Sequence, residues 1–105
     1  EVQRLTTKAR DNKLEKSDLE GGTFTISNHG VSGSLIATPI IINQPQSAIL
    51  GIGKLENRVK WSSETQSMLA IPCCYVTLTI DHRALDGYQA NQYMMAFVEF
   101  LENYD

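Results

Sequence analysis

The run Tyr75-Val76-Thr77-Leu78-Thr79-Ile80 alternates without a break and stops at Asp81-His82-Arg83-Ala84-Leu85-Asp86-Gly87. Val76, Leu78 and Ile80 fall on one face, Tyr75, Thr77 and Thr79 on the other, which is the period of a pleated strand. From Tyr88 the pattern changes, because Ala90, Met94, Phe97, Val98 and Leu101 recur at helical spacing. Asp86 stands just ahead of them as a good N-cap. A strand, a tight loop and a helix are predicted in that order, with His82 just past the strand end.

Upstream, Val2, Leu5 and Ala9 suggest one face of an opening helix, followed by polar Asp11-Asn12-Lys13 and a short turn from Lys16 to Glu20. Thr23 to Ser27 alternates again, and Phe24 with Ile26 is the expected buried side of a strand. Asn28 to Ser34 reads as an ordered loop, in which Gly30 and Gly33 permit sharp turns and close backbone approach. Pro39 and Pro45 bracket Ile40-Ile41-Ile42 and argue for an extended connection rather than a central strand. Ser47 to Leu55 and Met68 to Ile80 read as two longer strands, antiparallel, with Asn57 to Ser67 as a polar link between them. The pattern is α+β, a mixed α/β sandwich, with no internal repeat and no low-complexity tract.

At 105 residues the chain is at most one domain, and a chain of that size buries about two thirds of its unfolded surface. Twelve acidic and nine basic residues give a net charge of −3 with no cationic cluster, so nothing favours a nucleic acid partner. No apolar run approaches the ~20 residues that span a bilayer, and the N-terminus is charged, so neither a membrane nor a secretory signal is expected. Cys73 and Cys74 are neighbours in an apolar stretch and read as core residues in a reducing compartment, the bacterial cytoplasm or the mitochondrial matrix. His29, His82 and the cysteines lack zinc-site spacing, and no metal is expected.

The DHRxxDG pattern over 81–87 resembles the active-site signature of the acyltransferase component of 2-oxo acid dehydrogenase complexes, the dihydrolipoamide acyltransferases, related in fold to chloramphenicol acetyltransferase. Two further blocks agree with that family in order and spacing. Gly21 to Gly30 (GGTFTISNHG) is similar to its GGTFTISNxG segment, and Thr38 to Gly51 to its TPIINPPQSAILG run. The resemblance implies a chloramphenicol acetyltransferase-like catalytic domain of which residues 1–105 form the C-terminal half, Glu1 to Leu14 matching the end of a helix. The lipoyl domain and the peripheral subunit-binding domain have no counterpart here. It implies acyl transfer from S-acyl-dihydrolipoamide to coenzyme A, with the lipoyl group carried on another domain. A homotrimer, a higher-order core, and the dehydrogenase and dihydrolipoamide dehydrogenase components are the implied partners.

The same resemblance assigns roles. Thiol-to-thiol acyl transfer needs a thiolate, since the thiol itself is a poor nucleophile, and an imidazole near its ordinary titration range can take and return the proton. His82 matches the family's base. Ser27 matches the hydroxyl that stabilises the oxyanion, a donor whose removal commonly costs about 10²- to 10³-fold in rate. In the family these two groups come from different subunits. Asp86 is read as a helix cap that holds the loop rather than as a triad carboxylate. Asn28, Gly30, Arg83 and Gly87 are read as substrate-binding or loop-supporting, Asp81 as a partner for Arg83, and His29 has no assigned role. Met94, Met95, Phe97 and Phe100 are read as helix packing.

The chain departs from the pattern at Ile40 to Pro45, which has one extra residue and Gln44 in place of a proline, and the family's leucine-rich tail is not expected within residues 1–105. Succinyl, branched-chain and acetyl groups all remain open as the acyl cargo. So do two other readings: a non-catalytic module for core assembly, and a stand-alone acetyltransferase acting on a small hydroxyl acceptor.

Overall fold

The computed structural model describes residues 1–104. In chain order its elements are α1 (Val2–Arg10), α2 (Lys16–Leu19), β1 (Thr25–Asn28), a 3-10 turn (Gly30–Ser32), β2 (Ala48–Ile52), β3 (Glu56–Ser62), β4 (Ser67–Cys73), β5 (Val76–Ile80) and α3 (Gly87–Glu102). The strands form a three-stranded sheet in the order β1-β2-β5 and a separate two-stranded β3-β4 sheet. β1 runs parallel to β2 and β5 antiparallel to it, so the main sheet is mixed, as the α+β reading expects.

β2 is the centre of the fold because its sequence is apolar at every position, which suits a strand covered on both faces. Ala48, Ile49 and Leu50 are buried, and with Ala37 they are the buried apolar side chains of the described residues. The segment before β2 folds over the sheet, where the Thr77 hydroxyl donates to the Ala37 carbonyl at 2.7 Å. Gly51 makes that cover possible, because a Cβ there would stand 2.7 Å from the Ala37 Cβ and against Ile40. On α3, Ala90, Met94 and Phe97 are the half-buried stripe, and Tyr93 reaches Phe24 with ring centroids 5.9 Å apart.

Five expectations change. Met68 to Ile80 is not one strand: β4 ends at Cys73 in the two-stranded sheet, and β5 begins at Val76 in the main sheet. Residues 57–67 are not a plain link: most of them belong to β3 and β4, an antiparallel hairpin with Trp61 opposite Met68 and Val59 opposite Ala70. β1 turns its Thr25 and Ser27 side inward, and Ile26 is 61% exposed. The polar face is covered because Thr25 donates to the Gln46 side-chain oxygen at 2.5 Å beneath the loop. Cys74 is exposed between β4 and β5, and Cys73 is only half-buried, since no layer among the described residues covers the hairpin. Met95 and Phe100 lie on the outer side of α3, also exposed.

Burial falls short of two thirds. The accessible surface is 8446 Å², against roughly 5,900 Å² for a compact protein of this mass and roughly 17,000 Å² for its unfolded chain. About half of the unfolded surface is covered. The radius of gyration is 16.9 Å, whereas a compact chain of this length gives about 13 Å. The extents are 54 × 35 × 27 Å.

Candidate active site

His82 is held by a loop whose bonds converge on Asp81. The Asp81 amide donates to the Ser47 carbonyl at 2.8 Å, which carries the β5 pairing one residue past Ile80. The amides of Ala84 and Leu85 then donate to the Asp81 carbonyl at 2.9 and 3.1 Å, curling the chain into a turn. Arg83 closes over the turn: its amide and Nε donate to Asp81 Oδ1 at 3.0 and 2.9 Å, and its Nη2 to Oδ2 at 2.7 Å. Those bonds to Arg83 lower the Asp81 carboxyl to a pKa of about 2. His82 lies between the two latched residues, exposed and with no side-chain hydrogen bond among the described residues.

Asp86 ends the loop. Its Oδ1 accepts from the Gln89 amide at 2.8 Å, and the Gln89 side chain accepts from the Asp86 amide at 3.1 Å, a reciprocal capping box. No bond joins Asp86 to His82 among the described residues, so geometry matches the cap and not a triad carboxylate. Gly87 opens α3 with free space where a Cβ would be. An apolar cavity of about 460 Å³ adjoins this loop, walled by Phe24, Leu78, Leu85 and Tyr93.

Ser27 is half-buried on β1, one residue before the strand ends at Asn28. The Asn28 side chain accepts from the Gly30 amide at 2.9 Å and turns the chain out of the sheet. The backbone then packs too closely for any other residue at position 30, because a Cβ would stand 2.6 Å from the Gly53 carbonyl oxygen. His29 donates its amide to the Ile52 carbonyl at 2.9 Å, and its half-buried side chain makes no hydrogen bond among the described residues. A second cavity, of about 510 Å³, opens here between Asn28, Val31, Lys54, Leu55 and Cys74. The sequence pattern did not point to Lys54 or Cys74, which come to this edge only through the sheet pairing.

The two groups of candidates stand at opposite ends of the sheet. Ser27 is level with Gly51, and Gly51 with Thr77. From Thr77 to Asp81 the strand rises about 13 Å, and β1 and β5 are two interstrand spacings of ~4.8 Å apart, so the backbone at Ser27 and at Asp81, the residue before His82, is separated by about 16 Å. Ser27, Asn28 and Gly30 make one cluster, and His82, Arg83, Asp86 and Gly87 the other. Within one copy they cannot act on the same atom. Within one copy His29 and His82 also lie at opposite ends of the sheet, and among the described residues no three His, Cys, Asp or Glu side chains gather to hold a metal ion.

The mixed sheet with its flanking helix superposes on solved acyltransferase catalytic cores. The chain superposes on the dihydrolipoamide acetyltransferase of Azotobacter vinelandii with a TM-score of 0.87 and 31% identity, over 97% of this chain and 41% of that one. That structure accompanies a study of a serine, a histidine and an asparagine in its catalytic mechanism. The cubic core of a pyruvate dehydrogenase multienzyme complex gives a TM-score of 0.86 at 31% identity, over 96% and 40%. The family described as 2-oxoacid dehydrogenases acyltransferase (catalytic domain) matches residues 1–105, and the chain belongs to that family. The succinyltransferase component of the 2-oxoglutarate dehydrogenase complex of Rickettsia bellii is 48% identical over 100 residues, and its mitochondrial counterpart in Saccharomyces cerevisiae 46% over 103. The chain spans 24% and 22% of those two proteins, and they span 94% and 98% of it. No described helix is long and apolar enough to cross a membrane.

Proposed function

We propose that this chain is the C-terminal part of the catalytic domain of a dihydrolipoyllysine-residue acyltransferase, and that it carries two half-sites, each completed by a neighbouring copy. His82 takes the proton of the coenzyme A thiol, and the thiolate attacks the thioester carbonyl of S-acyl-dihydrolipoamide. The Ser27 hydroxyl donates to the oxygen as it becomes negative. Collapse of the tetrahedral adduct breaks the bond to the lipoyl sulfur, which recovers the proton from the imidazolium, leaving acyl-coenzyme A and dihydrolipoamide. The lipoyl group arrives on a separate domain, and the dehydrogenase and dihydrolipoamide dehydrogenase components load and reoxidise it.

The observation that carries this reading is the separation of Ser27 and His82 across one sheet in a chain of this family. Two groups required in one reaction, at opposite ends of one sheet in each copy, demand a second copy. A homotrimer is the smallest ring the family resemblance offers, and the likeness to a cubic core supports assembly of trimers beyond it. The spacing in the Azotobacter enzyme adds support, since its asparagine follows its histidine by four residues, as Asp86 follows His82. The acyl group we assign is succinyl, because these succinyltransferases are 46–48% identical to the chain, and the solved dihydrolipoamide acetyltransferases of Listeria monocytogenes and Azotobacter vinelandii are 37% and 31% identical. These matches do not favour the assembly-only reading or the hydroxyl-acceptor reading.

The test is acyl exchange between dihydrolipoamide and succinyl- or acetyl-coenzyme A with the full-length parent protein. His82→Ala is expected to lose about 10²- to 10⁴-fold in turnover, the usual contribution of a positioned proton carrier, with the oligomer intact. Co-assembled Ser27→Ala and His82→Ala chains are expected to recover part of the activity. Unchanged turnover in His82→Ala overturns the catalytic assignment, and failure of the mixture to recover overturns the shared site.

A further inference from the structure

His29 stands two residues beyond Ser27, on the same face of the strand. Its amide donates to the Ile52 carbonyl at 2.9 Å, so the pairing of β1 with β2 runs one residue past Asn28. Burial keeps the strand period through it: Thr25, Ser27 and His29 are half-buried, while Ile26 and Asn28 are exposed, as expected where every second side chain points to one face. The His29 backbone is held from the other side as well. Its carbonyl accepts from the Ser32 amide at 3.3 Å, the Ser32 hydroxyl at 2.9 Å and the Ser34 amide at 3.2 Å. These bonds fix where the side chain begins, and none of them uses the imidazole. Among the described residues no side-chain nitrogen or oxygen is both buried and unpaired, so the ring nitrogens of His29, which have no partner, are open to a ligand.

The surroundings leave this row clear. Gly51 lies beside Ser27, and by the same register Gly53 lies beside His29. The chain passes so closely over both that a Cβ would strike Ala37 and Ile40 at Gly51 and the Leu35 carbonyl at Gly53. β2 therefore sends no side chain between Ser27 and His29, and β1 is an edge strand of its sheet. Lys54, the basic residue nearby, lines the cavity that Asn28 and Leu55 share on the opposite face, and it pairs with Glu56 at 3.8 Å.

A succinyl group differs from a butyryl group in ending with a carboxylate. With its thioester oxygen on the Ser27 hydroxyl, an extended succinyl chain carries that carboxylate about 4 Å farther, the span of three carbon–carbon bonds of ~1.5 Å. Hydrogen bonds of about 2.8 Å at either end bring the reach to the roughly 6.6 Å that separates alternate residues of a strand. An imidazole offers at least one N–H donor in either protonation state, and its bond to a carboxylate is charge-assisted.

We propose that His29 selects the succinyl group, its imidazole donating to the terminal carboxylate while Ser27 holds the thioester oxygen. The inference rests on the succinyl reading above and names the residue that reads the far end of the acyl chain.

The experiment uses the full-length parent protein and measures kcat/KM for acyl exchange onto dihydrolipoamide from succinyl-coenzyme A and from butyryl-coenzyme A, which has the same four carbons without the carboxylate. His29→Leu and His29→Ala are expected to lower the succinyl-to-butyryl ratio about 10- to 100-fold, the worth of a hydrogen bond to a charged group. His29→Gln, which keeps an N–H donor, is expected to recover part of that ratio. A partial loss of folded protein cancels in the ratio, so a ratio unchanged in His29→Leu and His29→Ala overturns the proposal. So does a fall in His29→Gln as deep as in His29→Leu. A parent protein that transfers butyryl and not succinyl overturns the succinyl assignment itself. A parent that prefers succinyl, with the ratio unmoved in the variants, rejects His29 alone and keeps that assignment.

Discussion

Asp86 and Asp81 bracket the same loop and do different work. Asp86 uses its carboxylate oxygen only as an acceptor for the Gln89 amide, a role an asparagine oxygen fills equally well. Asp86→Asn is therefore expected to hold both stability and turnover near the parent, and Asp86→Ala to lose about 1 kcal/mol, the usual worth of an N-cap. Thermal unfolding and acyl exchange of the full-length variants check this, and a large rate loss in Asp86→Asn would restore the triad carboxylate. Asp81 needs its charge. Its carboxyl is depressed to about 2 by Arg83, so the stabilisation it gives is fully present above the ordinary aspartate value of ~3.9 and is lost as pH falls through about 2. An acid limb in the rate near neutral pH therefore belongs to another group. Carbon-detected NMR titration is expected to place Asp81 near 2, and Arg83→Ala to raise it toward ~3.9. The His82 loop was legible in the sequence because a strand period stops, a cap residue follows and a helix period begins within a few residues.

At the scale of elements, α3 and β5 follow their periods, whereas β3 does not advertise itself. Glu56-Asn57-Arg58-Val59-Lys60-Trp61-Ser62 carries too few apolar residues to read as a strand of a core, because it belongs to a hairpin that has no core of its own. The reversal of β1 has a similar cause. Alternation identifies two faces, but which face is covered depends on Gln46 and the loop above it, twenty-one residues away in sequence. Ser27 was thus legible as a strand-end residue, and its distance from His82 was not, since it depends on the parallel pairing of β1 with β2, which the alternation of β1 does not announce. The crossing of the Gly30 turn over Gly53 binds these elements together. Gly30→Ala is expected to cost about 1–3 kcal/mol, the range for overpacking, because the added methyl meets backbone rather than a movable side chain. Denaturant unfolding of the full-length protein measures it, and a loss below about 0.5 kcal/mol, the size of an ordinary surface change, would show that the turn relaxes freely.

For the molecule as a whole, the excess surface sets the expectation. With Ala37, Ala48, Ile49 and Leu50 as its buried apolar side chains, the 105-residue chain by itself is expected to melt below the ~45–65 °C usual for mesophilic domains and to self-associate. Calorimetry and sedimentation at two concentrations test this, and a sharp, concentration-independent transition in that range would refute it. Placing the serine and the histidine at opposite ends of one sheet also has an arithmetic consequence. An open row of such copies always wastes two groups, one unmatched serine at one end and one unmatched histidine at the other. Adding copies never removes that loss, and joining the last copy to the first removes it at once. Under the shared-site reading, closure of the ring raises the output of every assembly by a whole active centre without adding a single residue.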